Sequence, residues 1–169
     1  FHIEVAKDCL AFGKNMVTAS YVSPEMEKLN KEVQEKGLVF MNEIGVDPGI
    51  DHMSAMQVID RIRDKGGKML LFESFCGGLI APESDNNLWN YKFTWNPRNV
   101  VLAGQGSAAK FIMKGQYKYI PYHKLFSRYE AIDIDGLGTF EGYPNRDSLN
   151  YRTVYGLEGI PTMIRGTLR

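Results

Sequence analysis

The chain has 169 residues, 44% of them hydrophobic, and its twenty basic residues balance twenty acidic ones. That composition suits a well-buried core rather than a disordered segment, and zero net charge excludes the long-range field that would gather nucleic acid or an anionic membrane surface. No stretch reaches the roughly 20 apolar residues of a transmembrane helix, no signal-peptide pattern opens the chain, and two distant cysteines, Cys9 and Cys76, offer neither a disulfide framework nor a zinc site, which points to a reducing compartment.

Residues 1–50 read as helix, strand, helix, strand. Ile3, Ala6 and Leu10 are spaced for a helix, and Met16–Tyr21 is short and β-prone. Ser23-Pro24-Glu25 opens the next helix, with serine as cap, proline at the first position and glutamate at the positive end. Met26, Leu29 and Val33 form its stripe, and Gly37 stops it. Leu38–Met41 is a continuous apolar run, as expected of a parallel strand covered on both faces. Strand, helix and strand with short loops predict the second half of a doubly wound domain, in which ligands sit beyond the carboxyl ends of the strands. Ser20-Tyr21 and Val46-Asp47-Pro48-Gly49 fall at those ends, although Asp47-Pro48-Gly49 by itself reads as a turn.

From Asp51 the pattern changes to a helix carrying Met53, Met56, Ile59 and Ile62 and ending at Gly66-Gly67, then a strand over Lys68–Cys76. Residues 77–90 are polar and read as an ordered or lid-like loop. Asn96-Pro97 starts a helix through Val100, Val101 and Leu102, and Phe111–Ile120 predicts a hairpin turning at Gly115. Two β-prone stretches, Ala131–Phe140 and Thr162–Leu168, flank a short helix near Leu149–Tyr155. The fold class expected is α/β, the end of a doubly wound Rossmann-type parallel sheet followed by an α+β mixed-sheet domain.

Chemistry-bearing patterns are sparse. Gly104-Gln-Gly-Ser-Ala-Ala109 imitates a dinucleotide fingerprint, but a helix precedes it and a hairpin follows, so it is rejected. His52, with only His2 and His123 elsewhere, gives no metal constellation and is read as capping, packing or hydrogen-bonding. Met26, Met41, Met53 and Met56 read as core. Cys76-Gly77-Gly78 either fills a small apolar space and turns the chain, or lets backbone amides approach a ligand with Cys76 facing it. Arg146 is either a solvated loop charge or a bidentate grip for a carboxylate, and Arg165 with Thr167 offers a second grip.

Thr18–Tyr21, Glu43–Met53, Cys76–Leu79, Ala81-Pro-Glu83, Tyr91–Trp95, Tyr143–Ser148 and Arg165–Arg169 follow one another as they do in saccharopine dehydrogenases of the glutamate-forming type, which the chain resembles over nearly its whole length. It departs at Ile80 and through residues 115–140. The resemblance implies a C-terminal part of a nucleotide-binding domain over 1–50 and a truncated substrate-binding and dimerisation domain over 51–169, with the first strand and Gly-rich phosphate loop expected before Phe1 and the chain cut at both ends. It implies an oxidoreductase of lysine metabolism that uses NADP, with NAD the alternative, to interconvert saccharopine with glutamate and aminoadipate semialdehyde. It also implies a cytoplasmic homodimer, or a mitochondrial one for a eukaryotic parent, with no nucleic-acid, membrane or metal partner. On the matching motifs, Asp47 and Cys76 are the catalytic candidates. Ser20, Asp47, Cys76, Gly77, Gly78, Trp95, Arg146, Arg165 and Thr167 would meet the substrate, and Ser20, Tyr21, Val46 and Gly49 the cofactor. The competing readings are a carboxyspermidine or carboxynorspermidine dehydrogenase and a non-catalytic binding or dimerisation module; the isolated chain is expected to be inactive.

Overall fold

The computed structural model describes residues 1–102 and 108–169, and the chain divides into two units, Phe1–Val58 and Ile59–Arg169. Of the imitation fingerprint, at 104–109, residues 104–107 lie outside the described residues.

In the first unit, helix α1 (His2–Ala11) buries Ala6 and Leu10, the residues its spacing selected. The next helix begins as predicted: the Ser23 hydroxyl accepts a hydrogen bond from the Met26 amide at 3.1 Å and Pro24 stands at the first position, a cap contributing about 1 kcal/mol. It is broken into α2 (Pro24–Glu27) and α3 (Asn30–Glu35), with Met26 and Val33 buried and Leu29 packed beside them. Gly37, at φ 63°, ends it. Strands β1 (Met16–Val17) and β2 (Phe40–Met41) pair in parallel, but each has two residues, shorter than the runs that predicted them. One face of this pair carries Met16 and Phe40 into a cluster with Ala6 and Met26. The other carries Val17, Val39 and Met41, which are 66%, 54% and 47% exposed. The expectation that Leu38–Met41 is covered on both faces is therefore corrected: only one apolar face has a layer packed on it.

Helix α4 (Ile50–Asp64) buries Ile59, with Ala55, Met56 and Ile62 half-buried. Met53 is exposed, because residues spaced by three step 300° around a helix and four of them fan over about 180°. Of the four methionines read as core, only Met26 is fully buried.

The second unit is built on a six-stranded, mostly antiparallel sheet: β3 (Leu71–Cys76), β4 (Ala109–Met113), β5 (Gln116–Ile120), β6 (Glu130–Ile134), β7 (Gly138–Pro144) and β8 (Thr162–Leu168). Strand β8 is its spine. It runs parallel to β3 from Thr162 to Thr167, and its other edge is shared, with β4 pairing at Met163 and β7 pairing from Gly166 to Leu168. The hairpin β4–β5 turns at Lys114-Gly115, both at positive φ, the hand that matches strand twist.

Three expectations for this unit are corrected. The nine-residue strand begins late, at Leu71. Ala131–Phe140 is two strands joined by a turn at Asp135–Leu137, in which Gly136 has φ 75°. Leu149–Tyr155 forms consecutive turns rather than a helix, with amides of Arg152, Tyr155 and Gly156 bonded to the carbonyls of Leu149, Tyr151 and Thr153. The Arg63 guanidinium fastens the end of these turns through the carbonyls of Tyr155 and Gly156, at 2.7 Å each. A short helix, α5 (Pro97–Leu102), starts where Asn96 caps the amides of Arg98 and Asn99, but Val101 and Leu102 stay exposed. Another, α6 (Tyr122–Leu125), follows β5 and carries no distinctive pattern in the sequence.

Candidate active site

The site residues of the first unit lie on the loops that leave β1 and β2. These loops are tied together by the Glu43 amide, which donates to the Ser20 carbonyl at 3.0 Å, and the Ile44 amide, which donates to the Thr18 carbonyl at 3.2 Å. Across them the Tyr21 hydroxyl donates to Asp47 Oδ1 at 2.7 Å, leaving the Asp47 carboxylate exposed. The Ser20 hydroxyl meets His2 Nε2 at 2.5 Å. Asp47 precedes a cis peptide bond to Pro48, and the loop then closes on itself, the Gly45 amide reaching the Pro48 carbonyl and the Ile50 amide the Gly45 carbonyl, both at 2.9 Å. Gly49 is buried at φ 149°, where a Cβ would fall onto the Gly45 carbonyl, so only glycine closes this loop. The structure thus brings Ser20, Tyr21, Asp47 and Gly49 together, while Val46 points outward at 63% exposure.

Glu43 and Asp51 stand behind that loop. Glu43, itself at φ 59°, accepts the Val22 amide on Oε1 at 3.0 Å and sets Oε2 3.2 Å from His52 Nε2. Asp51 accepts the Gly49 amide on Oδ1 at 2.7 Å, with Oδ2 3.7 Å from His52 Nδ1. His52 therefore packs between two carboxylates, one of the roles expected from the sequence. Among the described residues no three His, Cys, Asp or Glu side chains gather for a metal.

In the second unit, alternation along paired strands places Phe72, Ser74 and Cys76 of β3, Met163, Arg165 and Thr167 of β8, and Tyr143 of β7 on one face of the sheet. The face grades from apolar to polar. At one end Phe72 and Met163 are buried, with Tyr155 5.5 Å from the Phe72 ring. At mid-strand the Arg165 guanidinium lies 4.4 Å over the Tyr151 ring, a cation–π contact that fixes its plane. At the other end Cys76 is level with Thr167, and Tyr143 lies beside Thr167. Burial pushes the Tyr143 phenol up, against the opposing pull of the Thr167 hydroxyl and the Arg169 guanidinium. Gly77 leaves this face under the Leu168 carbonyl, where a Cβ would collide with it.

Arg146 belongs to a platform rather than a loose loop. The Asn145 amide and the Ser148 hydroxyl donate to the Arg165 carbonyl at 3.0 and 2.9 Å. The Lys110 amide donates to the Arg146 carbonyl at 2.7 Å, and the Ser148 amide to the Lys110 carbonyl at 2.8 Å. Lys110 Nζ pairs with Asp147 Oδ2 at 3.2 Å. Ser148 is fully buried, and Arg146, at φ 50°, is held with its side chain in solvent. Gly78 is exposed, and Trp95, 60% exposed, is not packed into a wall. Two surface grooves of this unit, of about 280 and 460 Å³, are lined by residues such as Phe111 and Lys124, and Arg63 and Gly156, and include none of Cys76, Arg146 or Arg165.

The sequence model of the saccharopine dehydrogenase C-terminal domain family matches residues 45–169. The chain belongs to that family. This saccharopine dehydrogenase C-terminal domain chain is 41% identical over 169 residues to the Saccharomyces cerevisiae saccharopine dehydrogenase [NADP(+), L-glutamate-forming], covering 100% of this chain and 38% of that protein. It is 43% identical to the Schizosaccharomyces pombe protein of the same name, covering 100% and 37%. It is 40% identical to the mitochondrial alpha-aminoadipic semialdehyde synthase of Rattus norvegicus, covering 99% and 18%. The solved apo saccharopine dehydrogenase (L-Glu forming) of Saccharomyces cerevisiae superposes with a TM-score of 0.88 at 40% identity, over 99% of this chain and 38% of that one. The chain thus spans less than two fifths of the length of each of these relatives.

Sequence reasoning passed over Glu43, Asp51, Lys110, Tyr143, Ser148, Tyr151 and Arg169 as site residues. Glu43, Asp51, Tyr143 and Ser148 all lie inside the motifs that carried the resemblance. Arg169 was signalled by alternation, two residues beyond Thr167 and four beyond Arg165; it pairs with Glu141 at 2.6 Å and lies 5.5 Å from the Tyr143 ring centroid.

Proposed function

We propose that this chain is part of an NADP-dependent, glutamate-forming saccharopine dehydrogenase of lysine metabolism. The observation that carries this reading is the match, over all 169 residues, to fungal enzymes whose names state that activity. In this reading residues 1–50 are the end of a Rossmann-type nucleotide-binding domain and 51–169 a substrate-binding and dimerisation domain. The exposed apolar face of Val17, Val39 and Met41 supports it, since two parallel two-residue strands suit the margin of a larger sheet.

The cofactor fits the first unit only at its nicotinamide end. Ser20, Tyr21 and Gly49 lie beyond the carboxyl ends of two parallel strands, where such folds bind ligands, with Val46 beside them. Bound there, NADP would supply a hydride acceptor for the carbon beside the substrate's secondary nitrogen. Loss of that hydride leaves an imine, and water then cleaves it to glutamate and aminoadipate semialdehyde; saccharopine, oxidised cofactor and water give the two products, reduced cofactor and a proton. Asp47 binds the amine or takes its proton, with the Tyr21 hydroxyl orienting the carboxylate. Saccharopine carries three carboxylates, and Arg146 and the Arg165–Thr167 pair supply planar, preorganised grips for them. Cys76, Gly77, Gly78 and Trp95 complete the substrate surface. In this reading the enzyme is a homodimer, cytoplasmic, or mitochondrial for a eukaryotic parent.

The test is nicotinamide reduction by the full-length protein with L-saccharopine beside carboxynorspermidine. Saccharopine-dependent turnover is expected; turnover with the polyamine alone would remove the enzyme from lysine metabolism. The isolated 169-residue chain is expected to show no turnover.

A further inference from the structure

We infer that His52 is a positioning residue that holds the Tyr21–Asp47 pair through two carboxylates. The inference deepens the function proposed above and rests on it for the role of Asp47. The geometry is a closed circuit within the first unit. From Tyr21 the chain passes to Val22, whose amide is held by Glu43 Oε1 at 3.0 Å. The other oxygen of Glu43 lies 3.2 Å from His52 Nε2. The opposite edge of the imidazole, Nδ1, lies 3.7 Å from Asp51 Oδ2, and Oδ1 of Asp51 holds the Gly49 amide at 2.7 Å. From Gly49 the chain returns through Pro48 to Asp47, which the Tyr21 hydroxyl meets at 2.7 Å.

Each carboxylate therefore faces the imidazole with one oxygen and a backbone amide beside the reacting pair with the other. The side chains of Asp51, His52 and Glu43 are 7%, 16% and 17% exposed, whereas Asp47 and Tyr21 open to solvent. The imidazole fills the space between these partly desolvated carboxylates, with one ring nitrogen toward each. Without it the two carboxylates lose the side chain packed between them. Glu43 holds φ 59°, a conformation that persists only where its surroundings over-determine it.

The experiment uses the full-length enzyme with His52→Ala, His52→Gln, Asp47→Asn and the His52→Ala/Asp47→Asn double variant. Amide hydrogen exchange at Val22 and Gly49 is read by fragmentation mass spectrometry, and kcat and KM for saccharopine are measured alongside. His52→Ala is expected to speed exchange at both amides about tenfold or more and to lower kcat by about 10- to 100-fold, as losing a supporting partner does elsewhere. His52→Gln, which keeps a polar side chain packed between the carboxylates, is expected to restore most of both. In the Asp47→Asn background the same alanine substitution is expected to cost almost nothing further, because the residue being positioned is gone. Unchanged exchange at Val22 and Gly49 would overturn the inference, as would an equal loss of kcat with and without Asp47. Full activity in Asp47→Asn alone would instead sink the role given to Asp47 in the proposed function, and amide exchange would still decide the circuit.

Discussion

The two units hold their candidate residues by different kinds of bond. In the first unit side chains add to the loop's own backbone bonds in fixing Asp47: a tyrosine hydroxyl meets its carboxylate, and Glu43 and Asp51 hold the amides of Val22 and Gly49. In the second unit Arg146 is fixed by backbone: amides and carbonyls of Lys110, Asn145, Ser148 and Arg165 lock the segment between strands β4 and β8. Both halves place a non-glycine residue at positive φ, Glu43 at 59° and Arg146 at 50°, and both support it with hydrogen bonds on each side. A backbone lattice survives replacement of the side chain it presents, whereas a side-chain circuit fails with any one of its members. A proton-handling group gains from neighbours that tune it, while a charge that only grips a carboxylate needs a rigid base.

The largest effect expected is at the loop that both kinds of support share. Gly49→Ala would press a Cβ onto the Gly45 carbonyl at a φ that L residues avoid, costing about 3 kcal/mol locally. Saccharopine turnover is expected to fall below about one hundredth, measured beside a denaturation curve. Unaltered turnover would break the claim that the Asp47 loop has a single working geometry.

Next, Arg146→Ala should raise KM for saccharopine about 10- to 100-fold with the thermal midpoint unchanged, since the side chain is solvated and the platform is backbone. Arg146→Lys should recover only part of the loss, because a point charge replaces a planar fork. A drop in stability as large as the drop in affinity would show that the platform depends on the side chain after all.

Ser148→Ala probes the platform itself. It removes a buried hydroxyl from the Arg165 carbonyl and is expected to cost about 1–2 kcal/mol in urea denaturation, with a smaller rise in KM. The smallest effect concerns Tyr143. Burial raises its ionisation in the folded protein above the ordinary 10.0, so the unfolded chain releases that proton first. The associated stability is complete below the unfolded value and is lost as pH rises through the folded one. Tyr143→Phe should therefore flatten the alkaline arm of a stability–pH profile above about pH 10 and leave neutral pH nearly untouched. A steeper alkaline arm in the variant would contradict the sign.

Much of this was legible in the amino-acid sequence, and the reasons are local. Ser23-Pro24 capped a helix because capping involves one hydroxyl and an amide three residues away. The turn at Gly115 and the full length of Thr162–Leu168 were readable from turn chemistry and β-propensity. The candidate residues Asp47, Cys76, Arg146 and Arg165 came from motif resemblance, since a loop arginine or an Asp-Pro-Gly turn has no intrinsic mark of function. What tertiary structure alone decided was which partners each residue met. No periodicity announces that Ser148 reaches across to Arg165, that Tyr151 lies under its guanidinium, or that Glu43 and Asp51 close on His52 from either side. Helix caps, turns and strand alternation are fixed by neighbours within a few residues, and so are written in the sequence. The Arg146 platform and the Asp47 circuit join residues brought together only when strands pair and loops close, and that pairing is a property of the folded chain.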